Sequence, residues 1–216
     1  MNERIRDILV GLILGDGYLT RLSKNGKSTI EVKYDDKYLS YLLWLHEQLK
    51  PLRVSEIKPK KNYHQHLFRT RQTEEIGKLR SIFYPAGIKI IPPTIKDLLI
   101  RPITLAVWYM DDGTLDCRGK YHYNALFATH CFSFDENVLL AETLKLNFDL
   151  DVSVARCQMR GKVRYRLYVK SKSMERFIQT VRPHIDPSLQ YKIRDLSRAS
   201  SSGNTETSSV IRNYWA

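Results

Sequence analysis

The alternation of hydrophobic and polar positions predicts the same order of elements twice along the chain. In the first half, apolar residues at helical spacing predict a helix over residues 4–16, and period-two alternation predicts a β-hairpin over residues 18–34. A helix over residues 37–49, a hairpin over residues 53–71 and a helix over residues 73–84 follow. The first half is therefore expected to have the order αββαββα.

The second half repeats this order with different side chains. A helix is predicted over residues 104–112, strands near residues 120–130, a helix over residues 133–148, a hairpin over residues 152–169 and a helix over residues 173–181. A period of about 95 residues is too long for a solenoid and indicates a tandem duplication. We predict an α+β fold of two pseudo-symmetric αββαββα halves.

The boundaries of the two halves follow from composition. Residues 1–84 are assigned to the first half and residues 101–195 to the second. Residues 85–100 are expected to be a linker, because its first part, PAGIKIIPPT, contains three prolines and does not fit a regular element. Residues 196–216 are rich in Ser, Thr and Gly and are expected to form a flexible tail.

The first helix of each half is an apolar run that ends in Asp-Gly. These runs are LVGLILGDG, from residue 9, and LAVWYMDDG, from residue 105. Asp16 and Asp112 stand at the helix end where the macrodipole favours a cation, so each needs a positive group nearby. A single Asp-Gly is typical of an ordinary turn, but the repetition favours a functional role. Gly17 and Gly113 are expected to cap the helices with positive φ.

Glycines inside the first run indicate how the two helices meet. Gly11 and Gly15 lie on one helical face, where each glycine costs about 1 kcal/mol relative to alanine. The second run has Val107 and Asp111 at the corresponding positions. We predict that the two helices pack against each other, with the glycines making room for these larger residues. This packing would bring the two terminal aspartates side by side.

The chain is basic as well as rich in apolar residues. It has 216 residues, 43% of them hydrophobic, which is enough for one large domain or two small ones. Its 35 Lys and Arg residues exceed its 23 Asp and Glu residues, so the formal net charge is +12. The excess is present in both halves and indicates a polyanionic partner. Charge alone does not choose between DNA, RNA and an anionic membrane.

Two further features bear on the cellular compartment. No apolar run approaches the ~18 residues needed to span a bilayer, and the N-terminal MNERIRDILVGL has charges where a signal peptide has its apolar core. The three cysteines, Cys117, Cys131 and Cys157, fit a reducing compartment and no disulfide framework. We therefore expect no membrane partner and an intracellular location, in the cytoplasm or nucleoid or in an organelle matrix.

The hairpins carry the basic residues in strand-like patterns. In VRYRLYVK, residues 163–170, apolar odd positions alternate with Arg164, Arg166 and Lys170. One such face fits solvent exposure as well as it fits DNA, but the corresponding hairpin of the first half is basic too. Two such sheets about a pseudo-two-fold axis predict a basic saddle for a DNA groove. The predicted DNA contacts are Lys33, Lys58, Lys60, Arg69, Arg71, Arg156, Arg160, Lys162, Arg164, Arg166 and Lys170.

At the two apolar runs the chain resembles the single-chain LAGLIDADG homing endonucleases. The first run departs from the motif at Val10, Leu14 and Gly15, and the second at residues 107–111, but both keep the last acid and the final glycine. The similarity to two-motif, intron-encoded members extends from about residue 8 to about residue 193. It implies a monomer, encoded in an intron or intein, that cuts both strands of a long asymmetric DNA target with short 3′ overhangs.

The resemblance also implies a metal site. Two carboxylates at the centre of a basic saddle would repel phosphates unless a divalent cation lay between them. Mg²⁺ favours one or two carboxylates together with phosphate and water oxygens, and Mn²⁺ or Ca²⁺ would substitute for binding. The implied ligands are the carboxylates of Asp16 and Asp112, completed by the backbone carbonyls of Gly15 and Asp111.

Lys89 and Lys192 follow the last helix of their respective halves, where similar enzymes have lysines near the metals. The implied catalytic role is to position the hydrolytic water or to stabilise charge on the phosphate. Without the resemblance, the sequence favours ordinary surface lysines at both positions. Two alternatives to the endonuclease stay open: an RNA maturase that binds intron RNA, and a DNA-binding regulator without catalysis. The two terminal aspartates argue against the regulator but not against the maturase.

Overall fold

The computed structural model describes residues 1–117 and 123–194 and confirms the α+β order. The first half contains α1 (Glu3–Leu14), β1 (Tyr18–Leu19), β2 (Ile30–Asp35), α2 (Leu39–Leu49), β3 (Lys58–Pro59), β4 (Gln65–Arg69) and α3 (Glu74–Phe83). The one-turn helix α4 (Ile95–Leu98) precedes the second half, which contains α5 (Pro102–Asp112), β5 (Gly113–Cys117), β6 (Tyr123–Phe127), α6 (Phe134–Phe148), β7 (Val152–Met159), β8 (Lys162–Val169) and α7 (Met174–Val181). A 3₁₀ helix, Pro187–Ile193, follows α7.

Two predictions fall partly or wholly outside this description. The predicted tail, residues 196–216, lies outside the described residues, as does part of the predicted strand region near residues 120–130. That strand prediction also missed β5, which begins at Gly113 directly after α5. Within the described residues, no helix is both long and apolar enough to cross a membrane. All three cysteines are free thiols.

Each half has a four-stranded antiparallel sheet with the same topology. The strand orders are β1-β2-β4-β3 and β5-β6-β8-β7, so the first strand pairs with the second and the last two form a hairpin. In β2, Ile30, Val32 and Tyr34 are buried, as the alternation predicts. The opposite face of this strand carries Glu31 and Lys33. One face of each sheet therefore packs on the helices, and the other is open.

Helices α1 and α5 lie against each other at the centre of the molecule. A Cβ atom built on Gly11 would lie 2.7 Å from Cβ of Val107, and one built on Gly15 would lie 2.5 Å from Cβ of Asp111. Carbon atoms in contact are normally about 3.5–4.0 Å apart, so no side chain fits at either glycine. The prediction that the glycines admit the larger residues of the other motif helix is confirmed.

The prediction of positive φ at Gly17 and Gly113 is wrong, because Gly113 has φ −85° and Gly17 is not among the glycines with positive φ. A Cβ on Gly113 would lie 2.2 Å from the carbonyl oxygen of Tyr109, and one on Gly17 would lie 2.8 Å from that of Leu12. Both glycines are needed because the chain passes close to the preceding helical turn. The requirement is for space and not for a left-handed conformation.

The connection between the halves is hydrogen-bonded to α6. The N–H of Ile91 donates to Oε1 of Glu136 over 2.8 Å. Further along, Nδ2 of Asn147 donates to the carbonyls of Lys96 and Leu99 over 2.7 and 2.8 Å. The segment predicted as a linker is therefore hydrogen-bonded to the second half in its middle and at its end, and it includes the regular turn α4.

Candidate active site

The carboxyl-terminal ends of the central helices bring the two motif aspartates together. Asp112 is the last residue of α5, and Asp16 lies two residues beyond the end of α1. Asp16 is exposed and Asp112 is half-buried. They are close enough for the Asp16 carboxylate to raise the pKa of Asp112. The tight packing of α1 on α5 sets this proximity.

Both aspartates hold their protons more tightly than free carboxyl groups do. Loss of hydration, and then the charge of Asp16, raise the pKa of Asp112 to about 7. Loss of hydration also raises the pKa of Asp16, while Lys89, Lys192 and Lys33 act in the opposite direction. Loss of hydration is thus the main cause of both shifts, and a cation bound between the two carboxylates would favour their charged forms.

Lys89 and Lys192 occupy equivalent positions at the ends of the central helices. Nζ of Lys89 donates to the carbonyls of Leu14 and Gly15, each over 3.0 Å. Nζ of Lys192 donates to the carbonyl of Met110 over 2.6 Å. Leu14 and Met110 each lie two residues before the terminal aspartate. Each lysine thus places a positive charge at the negative end of a motif helix. This is the positive group that the sequence required beside each terminal aspartate.

The side chain of Asp111 makes a set of contacts that the sequence did not predict. Its Oδ2 accepts a hydrogen bond from the backbone N–H of Asp16 over 3.0 Å. Its Oδ1 accepts hydrogen bonds from the hydroxyls of Tyr34 and Tyr41 over 2.6 and 2.9 Å. Loss of hydration and the Asp16 carboxylate raise the pKa of Asp111, although its hydrogen bonds with Tyr34 and the Asp16 N–H oppose this. The available signal was an acid inside an apolar run, where the other motif has Gly15.

The donors at this centre fit a cation that is shared with a substrate. The carboxylates of Asp16 and Asp112 are hard oxygen ligands, and the carbonyl of Gly15 lies beside them and already accepts from Lys89. In residues 1–117 and 123–194, no three His, Cys, Asp or Glu side chains form a metal-binding group. Two carboxylates completed by phosphate and water oxygens are typical of Mg²⁺ sites in enzymes that act on phosphates. The described part of the chain therefore forms no closed metal site made of protein side chains alone.

Three of the predicted DNA contacts in the first half share the open face of its sheet. Lys33 and Lys58 both pair with Leu67, so the side chains of the two lysines lie on the same face of the sheet as that of Leu67. Arg69 pairs with Glu31 on the same face, and Nη2 of Arg69 lies 2.5 Å from Oε2 of Glu31. Part of the positive charge of Arg69 is therefore already neutralised within the sheet.

The two other predicted contacts of the first half lie outside its strands. Lys60 follows β3, and its Nζ lies 4.2 Å from the centre of the Tyr63 ring. Arg71 follows β4 and lines a surface pocket with Met1 and Lys78. Met1 precedes the amino end of α1, opposite the aspartates, so Arg71 lies at the end of that helix away from the aspartates.

The second half has the more basic sheet face. Arg164 pairs with Cys157 and Arg166 with Ala155, so these two arginines lie on the same face of the sheet. The guanidinium carbon of Arg166 lies 5.0 Å from the centre of the Tyr168 ring, within the range of a cation–π contact. Lys162 is on the same face, and Lys170 follows directly after β8.

Two residues of this hairpin do not join that face. Arg156 pairs with Tyr165 and therefore lies on the face opposite to Arg164 and Arg166. Arg160 lies in the turn between β7 and β8 and has φ 50°. The sequence placed both residues on the basic hairpin, but it did not assign the face of each one.

The two halves are similar, and each contributes one acid and one lysine at the central helix pair. Sheets with basic open faces lie beside this pair. This is the architecture of a single-chain nuclease. The chain belongs to the LAGLIDADG DNA endonuclease family, whose model matches residues 6–177. The resemblance found in the two apolar runs is thereby confirmed.

The chain is also similar to individual proteins, two of which have names that refer to different activities. Protein MJ1098 of Methanocaldococcus jannaschii is 32% identical over 206 residues, which cover 91% of this chain and 76% of that protein. The cytochrome b mRNA maturase bI2 of Saccharomyces cerevisiae is 28% identical over 89% of this chain, which corresponds to 48% of the maturase. Among solved structures, the homing endonuclease I-WcaI bound to its DNA recognition sequence has 25% identity and a TM-score of 0.75, over 89% of this chain and 87% of that one.

Proposed function

We propose that this chain is a homing endonuclease that cuts both strands of a long, asymmetric DNA duplex and acts as a monomer. The observation that carries the proposal is the meeting of the two motif ends, where the Asp16 N–H lies 3.0 Å from Oδ2 of Asp111, the residue before Asp112, and each end is held by a lysine. The similarity to I-WcaI, which was solved on its DNA recognition sequence, supports it. Because both halves lie in one chain and have different side chains, no symmetry is required of the target.

The open faces of the two sheets supply the DNA-binding surface in this proposal. Lys33 and Lys58 in the first half, and Arg164 and Arg166 in the second, would contact phosphates and base edges. Phosphate contacts provide affinity that falls steeply with salt, whereas contacts with base edges in the groove provide specificity. The unequal charge of the two faces predicts that the second half makes the larger electrostatic contribution.

Hydrolysis would take place at the aspartate pair. Asp16 and Asp112 would hold Mg²⁺ or a similar divalent cation, with Mn²⁺ or Ca²⁺ as substitutes for binding. When bound, the cation supplies an activated water and neutralises charge on the phosphate and on the leaving 3′ oxygen. Lys89 and Lys192 are fixed at the helix carbonyls and would stabilise the negative charge that develops on the phosphate. One aspartate from each half suits the cutting of two antiparallel strands.

The test uses a plasmid that carries the host gene that the coding sequence of this chain interrupts, after removal of the intervening sequence, so that the two flanks are joined. We expect the purified protein to linearise this plasmid in Mg²⁺ and to leave it intact in EDTA. A plasmid that keeps the intervening sequence is the matched control and should not be cut. If the joined plasmid were not cut in Mg²⁺ or in Mn²⁺, the endonuclease proposal would be wrong.

A second function, that of an RNA maturase, is favoured by the similarity to the Saccharomyces cerevisiae maturase. In this proposal the same basic sheet faces would bind intron RNA and assist its folding. The two functions separate in one experiment, in which binding of the labelled intron transcript and cutting of the joined plasmid are measured on the same preparation. Tight RNA binding that accelerates splicing, without cleavage of DNA, would support the maturase.

A further inference from the structure

The contact between Asp111 and Asp16 exists on only one side of the pseudo-two-fold axis. Asp111 belongs to the second motif helix, yet its Oδ2 accepts from the backbone N–H of Asp16, which follows the first. The equivalent residue of the first motif is Gly15, which has no side chain to reach the backbone of Asp112. A side chain is also excluded there, because a Cβ on Gly15 would lie 2.5 Å from Oδ2 of Asp111.

The two tyrosines that hold Asp111 are also specific to the first half. Tyr34 lies three residues after Glu31, which pairs with Tyr18 in the first strand. In the second half, Leu126 pairs with Thr114 in the equivalent strand, and Thr129 lies three residues further on. We take Thr129 as the counterpart of Tyr34.

Tyr41 lies seven residues after Tyr34, and the residue seven positions after Thr129 is Glu136, whose carboxylate oxygens accept hydrogen bonds from the N–H groups of Ile91 and Ser133. Thr129 and Asn137 are buried and hydrogen-bonded to each other, and Nδ2 of Asn137 donates to the carbonyl of Ser133 over 2.8 Å. Among the described residues, the hydrogen bonds of Thr129 and Asn137 stay within the second half. The tyrosine pair, by contrast, crosses between the halves to reach Asp111.

We propose that Asp111 is a positioning residue that fixes the backbone of Asp16 and makes the two aspartates of the active site inequivalent. The buried hydroxyls of Tyr34 and Tyr41 hold one carboxyl oxygen, which leaves the other directed at the Asp16 N–H. Both protonation states of Asp111 keep an oxygen that accepts this hydrogen bond. The loop from Leu14 to Gly17 is therefore held by the other half of the molecule.

This inequivalence has a consequence for cleavage that rests on the proposed endonuclease function. The rate of a catalysed step depends strongly on the alignment of the reacting groups, so a displaced catalytic group slows the reaction. Losing the Asp111 contact should therefore affect the strand cut with Asp16 more than the strand cut with Asp112. A residue that served only to join the two halves would slow both strands alike.

The proposal is tested on the full chain with two measurements on the same variants. Amide hydrogen exchange, followed by nuclear magnetic resonance, reports the protection of the Asp16 N–H without any requirement for cleavage. Single-turnover cutting of a duplex with a different fluorophore on each strand reports the two strand rates separately. The variants are Asp111→Ala, Asp111→Asn and the double variant Tyr34→Phe with Tyr41→Phe. Asp97→Asn, at an exposed position of α4, is the control.

In Asp111→Ala, we expect exchange of the Asp16 amide to rise about tenfold or more, and the ratio of the two strand rates to change by about tenfold. The tyrosine double variant should move both readouts in the same direction. Asp111→Asn keeps an acceptor oxygen and should stay within about threefold of the wild type. The control should change neither readout.

Unchanged protection of the Asp16 amide in Asp111→Ala would overturn the proposal, as would equal slowing of both strands with no change in their ratio. The double variant preserves the shape of the core and decides the question if Asp111→Ala does not fold. If the wild type cut no duplex while the amide exchange behaved as expected, the endonuclease proposal would fail and the positioning of Asp16 by Asp111 would stand.

Discussion

Replacing Asp112 with asparagine is expected to stabilise the metal-free protein at alkaline pH and to change little near pH 4. The carboxyl group of Asp112 is half-buried at the end of α5. Loss of hydration and the neighbouring Asp16 carboxylate raise its pKa from 3.8 to about 7. Asparagine has nearly the same shape and no charge, so the substitution removes the repulsion without opening a cavity.

The magnitude follows from the pKa change. A rise from 3.8 to about 7 corresponds to an upper limit of roughly 4 kcal/mol, at 1.36 kcal/mol for each pKa unit. Because the pKa is higher in the folded state, the folded protein binds more protons between these values, and the free energy of unfolding falls as the pH rises through this window. The full penalty applies above about pH 7. Partial solvation of the site reduces it, and we expect about 1–3 kcal/mol.

The assay is urea unfolding of the wild type and Asp112→Asn in EDTA, at pH 5 and at pH 8. The variant should gain most of its advantage at pH 8, and the slope of the unfolding free energy against urea should be unchanged. Asp97→Asn, on the exposed face of α4, is the control for loss of a carboxylate elsewhere. An equal advantage at both pH values, or a variant less stable than the wild type at pH 8, would refute the argument.

Other substitutions test separate parts of the site. Asp16→Asn should abolish double-strand cleavage, while DNA binding in Ca²⁺, measured by mobility shift, stays within about threefold; full cleavage would contradict the assigned role. Lys192→Met should lower the single-turnover rate by about ten- to a hundredfold, because the charge at the carbonyl of Met110 is lost, and an unchanged rate would argue for an ordinary surface lysine. Gly15→Val should cost more than about 2 kcal/mol in thermal unfolding, because it overpacks the helix interface. Arg164→Ala should reduce the salt dependence of DNA binding by about one counterion, and an unchanged slope would place Arg164 away from phosphate.

The packing of the two central helices was predictable because glycine destabilises a helix and the two glycines of α1 are four residues apart. Gly11 and Gly15 have no reason to occupy one face of a helix unless another backbone lies there, and Val107 and Asp111 stood at the matching positions. The need for positive charge beside a terminal acid was also visible, since it follows from the macrodipole of a single helix. Local spacing and electrostatics were sufficient for these parts of the site.

Contacts between residues of different halves could not be predicted from the sequence. Alternation in β2 predicts that Tyr34 faces the core, but its hydroxyl meets Asp111, which is 77 residues away, only because both halves pack as they do. The face occupied by Arg156 depends on the register of β7 and β8, and a shift of one residue would reverse it. Neither feature has a periodic signature within a single segment.

The hydrogen bonds from α6 to the connecting segment bear on how such a protein is recombined. Glu136 and Asn147 attach the segment's backbone to the second half at two places, while Lys89 of the same segment is hydrogen-bonded to the end of α1 in the first half. A chimera that takes one half from a relative would have to take the connector and α6 from the same parent. A junction at Pro85 would keep the connector with α6, and Lys89 would then have to re-form its hydrogen bonds with the end of α1 from the other parent, whereas a junction after Ile95 would divide the connector.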